Sequence, residues 1–301
     1  MIVVGSVNMD IVLRVPRAPL AGETVTGLSY AVYPGGKGAN QAIAAHRAGS
    51  KTQFFGCLGR DAYGDLLYHS LLREGLNIRG VVQTNFATGV AFIVVEDHGQ
   101  NRITVISGAN EHMPAEAFAS AFNEPDILLL QLEIPQSVVR AAAVAMRKAG
   151  GIVILNPSPV QPELGSVLSL ADIVLVNETE AMHLLGRSAP INPVNGLAAA
   201  QELAAGRQAA VITLGAAGAI WATPERKPEL VPGFAVNVVD TTGCGDAFAG
   251  VFAAALAAGD SMENAVIRGN AAGALAATQD GAQPSLPLRA AIDTFLAQRF
   301  Y

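Results

Sequence analysis

Hydrophobic residues fall into short β-branched runs separated by longer alanine- and leucine-rich stretches. Ile2-Val3-Val4 opens the chain as a predicted buried strand, and an extended run at 11–15 follows Ser6, Asn8 and Asp10. The run at 52–56 is a second strand, and Asp61 caps a predicted helix through Arg73. Runs at 88–95 and 102–107 flank a polar turn at 96–101, which predicts a β-hairpin. Its first arm is apolar on both faces, with Val90, Phe92 and Val94 on one and Ala91, Ile93 and Val95 on the other. A strand apolar on both sides is covered on both sides. That suits a flap lying over a site and against another subunit, and equally an ordinary core hairpin.

From residue 126 the alternation is regular. Strands are expected near 126–131, 152–155, 173–176 and 210–213, and helices near 136–149, 178–185 and 195–205. Such alternation predicts a parallel sheet with helices on both faces. Residues 221–233, with Pro224, Pro228 and Pro232, read as a loop or edge hairpin. Residues 234–239 read as a strand, and 247–258 and 261–279 as small-residue helices. No repeat, low-complexity tract or linker divides the chain. The expectation is one α/β domain over 1–301, a large doubly wound, mostly parallel sheet with helices on both faces. A small β-sheet lid is expected from about 10–35 and 86–106.

Composition narrows the function classes. A chain of 301 residues can bury a sizeable core. A formal charge of −6 with no basic block argues against nucleic acid and anionic membrane as partners. No apolar run reaches the roughly 18 residues needed to span a bilayer. The first residues read as a strand rather than a signal peptide. Two cysteines, Cys57 and Cys244, make no disulfide framework, so a reducing cytoplasm is expected. The five histidines lack zinc-site spacing.

Polar residues recur after predicted strand ends, where ligands of open α/β sheets bind. Asn8 and Asp10 lie two apart and point the same way on an extended backbone. The loop 34–38 opens onto a helix near 39–48, and Lys37 and Asn40 offer donors at its start. It is not a Walker A loop, because Gly38 rather than Ser or Thr follows Lys37. No G-x-G-x-x-G follows the first strand, which speaks against a Rossmann oxidoreductase. Glu133, Asn156, Asn177 with Glu180, and Thr213 before Gly215 and Gly218 extend the rim of one crevice. In Asp240-Thr241-Thr242-Gly243-Cys244-Gly245-Asp246, a glycine turn opens onto a helix, a ready anion site. Asp246 there reads either as a helix N-cap or as an acid beside a bound anion. Cys244 reads either as a small buried filler or as an oxidisable thiol at a helix N-terminus.

Three of these stretches resemble the signatures of the ribokinase-like (PfkB) carbohydrate kinases: Gly35-Gly36-Lys37-Gly38-Ala39-Asn40-Gln41, Asn177-Glu178-Thr179-Glu180, and Asp240 to Asp246. The match runs from Gly5 to Ser285. Gly22 to Gly27, the Lys37 loop, Gln131-Leu132-Glu133 and Gly281 to Ser285 are closest to the ribose-phosphorylating members. The resemblance implies ATP-dependent phosphorylation of a sugar's primary hydroxyl, with D-ribose the first expectation. Other small sugars such as 2-deoxyribose or fructose, a nucleoside, and a non-catalytic sugar sensor are the alternatives.

The resemblance further implies Asp246 as base, with an anion hole at Gly243, Cys244, Gly245 and Asp246. It implies sugar binding by Asn8, Asp10, Gly36, Lys37, Asn40, Glu133 and Asp246, with Asn8, Asp10, Asn40 and Glu133 supplying acceptors. Asn177 and Glu180 organise Mg²⁺ through water; with Thr213, Gly215, Gly218, Gly245 and Asn270 they form the nucleotide side. Asp240, Thr242, Ala276, Gln279, Gly281 and Ser285 form a K⁺ site. A homodimer through the lid is also implied. Cys244 departs from the family's usual small residue, and Gln279 and Asp280 stand where some members carry basic residues.

Overall fold

The computed structural model describes residues 1–96, 101–118, 122, 124 and 126–300. Nine strands form the main sheet: β1 (Ile2–Val4), β4 (Gln53–Gly59), β5 (Asn77–Thr84), β8 (Ile127–Leu130), β9 (Ile152–Leu155), β10 (Ile173–Asn177), β11 (Ala209–Thr213), β12 (Gly218–Ala222) and β13 (Glu229–Pro232). Their order is β13-β12-β11-β10-β9-β8-β1-β4-β5, parallel except for the β12–β13 edge. The sheet reverses direction of growth at β1, between β4 and β8. In a doubly wound sheet such a switch point opens a crevice at the carboxyl ends of the strands.

The strands are apolar on both faces because both are covered. Val3, Phe54, Leu129, Ile154, Leu175 and Val211 join one core cluster, while Val4, Phe55, Leu130, Val153, Val174 and Ile212 join the other. The first face packs against α1 (Lys37–Arg47), α2 (Ala62–Arg73), α7 (Cys244–Ala257), α8 (Met262–Ala276) and α10 (Arg289–Phe300). The second packs against α3 (Gln136–Lys148), α4 (Gly165–Leu168), α5 (Glu178–Leu184) and α6 (Gly196–Ala204). A short helix, α9 (Ala282–Ser285), precedes α10. Arg47 binds it to α1, donating to the carbonyls of Gln283 and Leu286 while pairing with Glu74 at 2.7 Å.

The small sheet is built from β2 (Asn8–Val15), β3 (Ser29–Gly35), β6 (Gly89–Glu96) and β7 (Asn101–Ile106), in the order β3-β2-β6-β7. Its register aligns Asp10 with Tyr33 and Ala91, and Ile93 with Val12 and Ile103. One face, carrying Asp10, Val12 and Ile93, therefore looks onto the crevice. The expected polar turn at 96–101 lies largely outside the described residues, since 97–100 are not among them.

Two features differ from the sequence reading, and one alternative it left open is decided. Residues 234–239 form no strand: the amides of Val239 and Asp240 donate to the Ala277 carbonyl at the end of α8, so the run is held by a helix end. The 221–233 segment resolves as the edge hairpin. Strand β5 and helix α10 carry no strong period: β5 is interrupted by Arg79 and Gly80, and α10 is largely exposed.

Candidate active site

Helices α1 and α7 cross closely because Gly250 lies against the backbone of α1. A Cβ there would stand 2.4 Å from the Gln41 carbonyl oxygen and 2.6 Å from Ala44 Cβ. The approach brings two α1 amides onto one carboxylate. Asn40 Nδ2 donates to Asp246 Oδ2 and Gln41 Nε2 to Asp246 Oδ1, each at 2.9 Å. Gln41 Nε2 also donates to Asn156 Oδ1 at 3.0 Å, and Gln41 Oε1 accepts from Gln131 Nε2 at 2.6 Å. All three of Asn40, Gln41 and Asp246 are buried. Buried carboxylates and amides are costly unless paired, and this set pairs across four elements. Gln41 and Gln131 lay within or beside motifs in the sequence, but amide-to-acid pairing across the fold has no local signal.

Asp246 is not the cap of α7. Gly243, with φ +78°, is the cap residue, and Asp246 is the third residue of the helix. Gly243, Gly245 and Asp246 share a cavity of about 240 Å³ with Lys37, Asn156, Asn177, Glu180 and Thr213. The first N–H groups of a helix have no partner within it. The Cys244 N–H leans on the Thr241 carbonyl at 3.3 Å. The Cys244 thiol is pushed up to about 11 by burial and by the carboxylates of Asp240 and Asp246. That leaves a neutral thiol at physiological pH and favours the filler reading over a reactive thiolate.

Glu133 and Glu180 each use one oxygen to hold a helix start. Glu133 Oε2 accepts from Lys37 N at 3.0 Å and Ser6 Oγ at 2.6 Å, where Gly36 takes φ +89° to begin α1. Glu180 Oε2 accepts from Asn177 N at 2.9 Å, and Asn177 Oδ1 accepts from Glu180 N at 2.8 Å, a reciprocal cap on α5. In both acids Oε1 is the oxygen not used by these caps. Lys37 stands among the acids. Burial disfavours its ammonium, but Asp246, Glu133, Glu180 and Asp10 outweigh this and hold its pKa above the ordinary value.

Asp10 lies against Gly35, where a Cβ would stand 2.0 Å from Asp10 Oδ2. Its carboxyl is pushed up to about 7 by burial, with Glu133 and Asp246 adding to the rise. Asn8, expected as an acceptor, has its Oδ1 occupied by Asn110 Nδ2 at 2.7 Å. Asn40 Oδ1 is buried with no partner among the described residues.

A second cavity, of about 320 Å³, lies between the lid and the turns at 238–242 and 280–282. Asp10, Asp240, Thr242 and Gly281 line it, and Thr241 borders both cavities. Asp240 Oδ1 accepts from Thr242 N and Oγ1 at 2.9 and 2.7 Å, and Oδ2 from Gly281 N at 2.9 Å. Burial opposes ionisation of Asp240, yet these bonds prevail and set its carboxyl below the usual range. The Ser285 hydroxyl donates to the Ala282 carbonyl at 2.8 Å, which leaves its oxygen lone pairs as acceptors. Of the expected cation residues, Asp240, Thr242 and Gly281 line this cavity, whereas Ala276, Gln279 and Ser285 do not. No group of three or more His, Cys, Asp or Glu side chains suited to a metal occurs among the described residues.

Three expected nucleotide residues lie outside both cavities. Gly215 opens a short 3-10 turn after β11. Gly218 has φ +103°, and a Cβ there would stand 2.1 Å from the Val231 carbonyl oxygen. Asn270 Nδ2 donates to the Val231 and Pro232 carbonyls at 3.1 and 3.4 Å. Gly218 and Asn270 thus secure the β12–β13 hairpin.

Residues 1–289 match the pfkB family carbohydrate kinases. Ribokinase of Haemophilus influenzae is 40% identical over 291 residues, covering 95% of each chain. Ribokinase of Thermotoga maritima superposes with a TM-score of 0.89 at 37% identity, covering 98% of each chain. Arabidopsis thaliana ribokinase complexed with ribose and ATP superposes with a TM-score of 0.88 at 34% identity, covering 100% of this chain and 98% of that one. The chain belongs to the pfkB family of carbohydrate kinases, and membership carries ATP-dependent sugar phosphorylation supported by Mg²⁺. No helix among the described residues is long and apolar enough to cross a membrane.

The Asp10 carboxyl generates a test. Its folded pKa, near 7, lies above the unfolded value near 3.8. Folding therefore favours its protonated form, and stability is lost as pH rises between these two values. Asp10→Asn removes that loss. Its melting temperature should exceed the wild type's by several degrees at pH 8, and the gap should close near pH 4. Equal melting temperatures at pH 8 would refute the burial account.

Proposed function

We propose that this chain transfers the γ-phosphoryl group of ATP to the primary hydroxyl of a pentose, converting D-ribose to ribose 5-phosphate. The observation that carries the reading is the Asp246 carboxylate, oriented on both oxygens by α1 amides at the first turn of α7. Asp246 accepts the hydroxyl proton as the sugar oxygen attacks. The N–H groups at 243–246, at the positive end of the helix, stabilise the oxygens of the phosphoryl group in flight. Their orientation, fixed by Gly243, requires no rearrangement during the transfer.

The sugar is held by Asn8, Asp10, Gly36, Lys37, Asn40 and Glu133. A polyol buried with an unpaired hydroxyl loses about 1–3 kcal/mol per group, so a dense polar set is what such a substrate requires. The partnerless Asn40 Oδ1 supports this, since a hydroxyl donor would satisfy it. Mg²⁺, bound with ATP, neutralises phosphate charge, and Asn177 and Glu180 hold it through water. Thr213 and Gly245 face the nucleotide from the smaller cavity, and Gly215, Gly218 and Asn270 serve that side by holding the turns beside it. The oxygen set around Asp240 holds K⁺, which steadies the 240–246 turn without entering the chemistry. The similarity to a structure with ribose and ATP favours ribose over 2-deoxyribose, fructose or a nucleoside.

Two copies associate through the lid. On the lid face turned away from the crevice, Phe92, Ile106 and Val32 are exposed. Apolar residues massed on one sheet favour a covering partner. The enzyme acts in the cytoplasm as one domain.

In a coupled ADP-release assay over sugars and nucleosides, ribose should give the highest kcat/KM; a nucleoside giving the highest value would overturn the substrate. Asp246→Asn should keep measurable sugar binding by calorimetry and lose about 10³-fold or more in kcat; near-normal turnover would sink the base assignment. Replacing Na⁺ with K⁺ should raise turnover severalfold in the wild type and leave Asp240→Ala unchanged; identical wild-type rates in both salts would count against the cation site. Light scattering should give a dimer that Phe92→Lys converts to monomer; a monomeric wild type at micromolar concentration would reject the lid contact.

A further inference from the structure

Asn110 lies in the 3-10 turn Gly108–His112, directly after the last lid strand, and is 1% exposed. Its side-chain amide has three bonds. Oδ1 accepts from Val7 N at 2.9 Å, and Nδ2 donates to the Val7 carbonyl at 3.1 Å and to Asn8 Oδ1 at 2.7 Å. The Val7 backbone offers one donor, its N–H, and one acceptor, its carbonyl, and together they settle which end of the Asn110 amide is nitrogen. The second Nδ2 hydrogen then meets Asn8, so Asn8 must present its oxygen there. Asn8 Nδ2 is left on the other branch of that amide, and it donates to no protein atom among the described residues.

The arrangement is tightly built. Gly89, at the start of β6, pairs with Asn8, and a Cβ at Gly89 would stand 2.4 Å from both Asn110 Nδ2 and Asn8 Oδ1. Asn8 lies on the same side of β2 as Asp10, which lines the crevice. We propose that Asn110 is a positioning residue that fixes Asn8 as a hydrogen-bond donor toward one sugar hydroxyl, and so sets which hydroxyl pattern the crevice selects. The inference deepens the sugar-kinase reading and rests on it. A hydroxyl met by an N–H in this way presents its oxygen to Asn8 and turns its own hydrogen toward another acceptor. Asp10 and Asn40 Oδ1 offer such acceptors on the same rim.

The test compares the wild type with Asn110→Asp, Asn110→Ala and Gly89→Ala across ribose and its monodeoxy analogues. Asn110→Asp keeps the shape and the bond from Val7 N but cannot donate. Its second oxygen instead accepts from Asn8 Nδ2, which reverses the Asn8 amide. The two alanine variants break the pair by removal and by crowding. Thermal melts identify the folded variants, on which the kinetics are read. The sugar KM should rise about tenfold, one hydrogen bond's worth, with the ATP KM changed less than about twofold. For the one analogue lacking the hydroxyl that Asn8 meets, variant and wild-type KM should agree. A KM rise of the same size for every analogue, or none in any folded variant, would overturn the inference and leave the kinase reading standing. A wild type that phosphorylates no sugar would instead refute the kinase reading before any variant is compared.

Discussion

The close crossing of α1 and α7 is the contact on which the site depends. Gly250 lets the helix backbones meet, and only at that distance do Asn40 and Gln41 reach Asp246. The contact is polar at its centre and apolar around it, with Ala42, Ala45, Ala249 and Ala253 buried in the surrounding core. A buried carboxylate without its amides would carry a desolvation cost of several kcal/mol. With them, its plane is fixed by one bond to each oxygen. Packing and chemistry thus share one constraint: a larger residue at 250 would part the helices and release the acid together.

A division of labour recurs among the acids. Glu133 and Glu180 each give one oxygen to a helix start, where negative charge is favoured by the helix dipole. Asp240 closes its own turn and ties in Gly281, 41 residues away. Glu133, Glu180 and Asp240 are held by bonds from backbone N–H groups, and Asp246 by the side-chain amides of Asn40 and Gln41. Their positions therefore follow the strand and helix ends, which are the rigid parts of the fold.

Much of this architecture was legible in the sequence because both faces of the main sheet are covered. Uninterrupted β-branched runs such as 152–155, 173–177 and 209–213 have few other uses in a chain of this composition. Where that rule weakens, the reading weakens. Strand β5 carries Arg79 and Gly80 at the sheet edge, and the apolar run at 234–239 has the look of a strand with no neighbour to pair with. The candidate site residues were visible as polar residues after strand ends, but the direction of their hydrogen bonds was not. Nothing local shows that Asn8 yields its oxygen to Asn110, 102 residues on, or that Gly243 rather than Asp246 caps α7. Gly218 and Asn270 were grouped with the nucleotide residues through resemblance, while their contacts serve the neighbouring hairpin.

The bonds from α1 to Asp246 join residues more than 200 positions apart. Loop closure over such a span comes late in folding, because its entropic cost is repaid only when the intervening strands and helices have docked. A chain that has folded only its first half holds Asn8, Asp10, Lys37 and Asn40 but lacks the acid and the helix start that follow residue 240. Such an intermediate would carry the amides of Asn40 and Gln41 without the carboxylate they pair with in the finished fold.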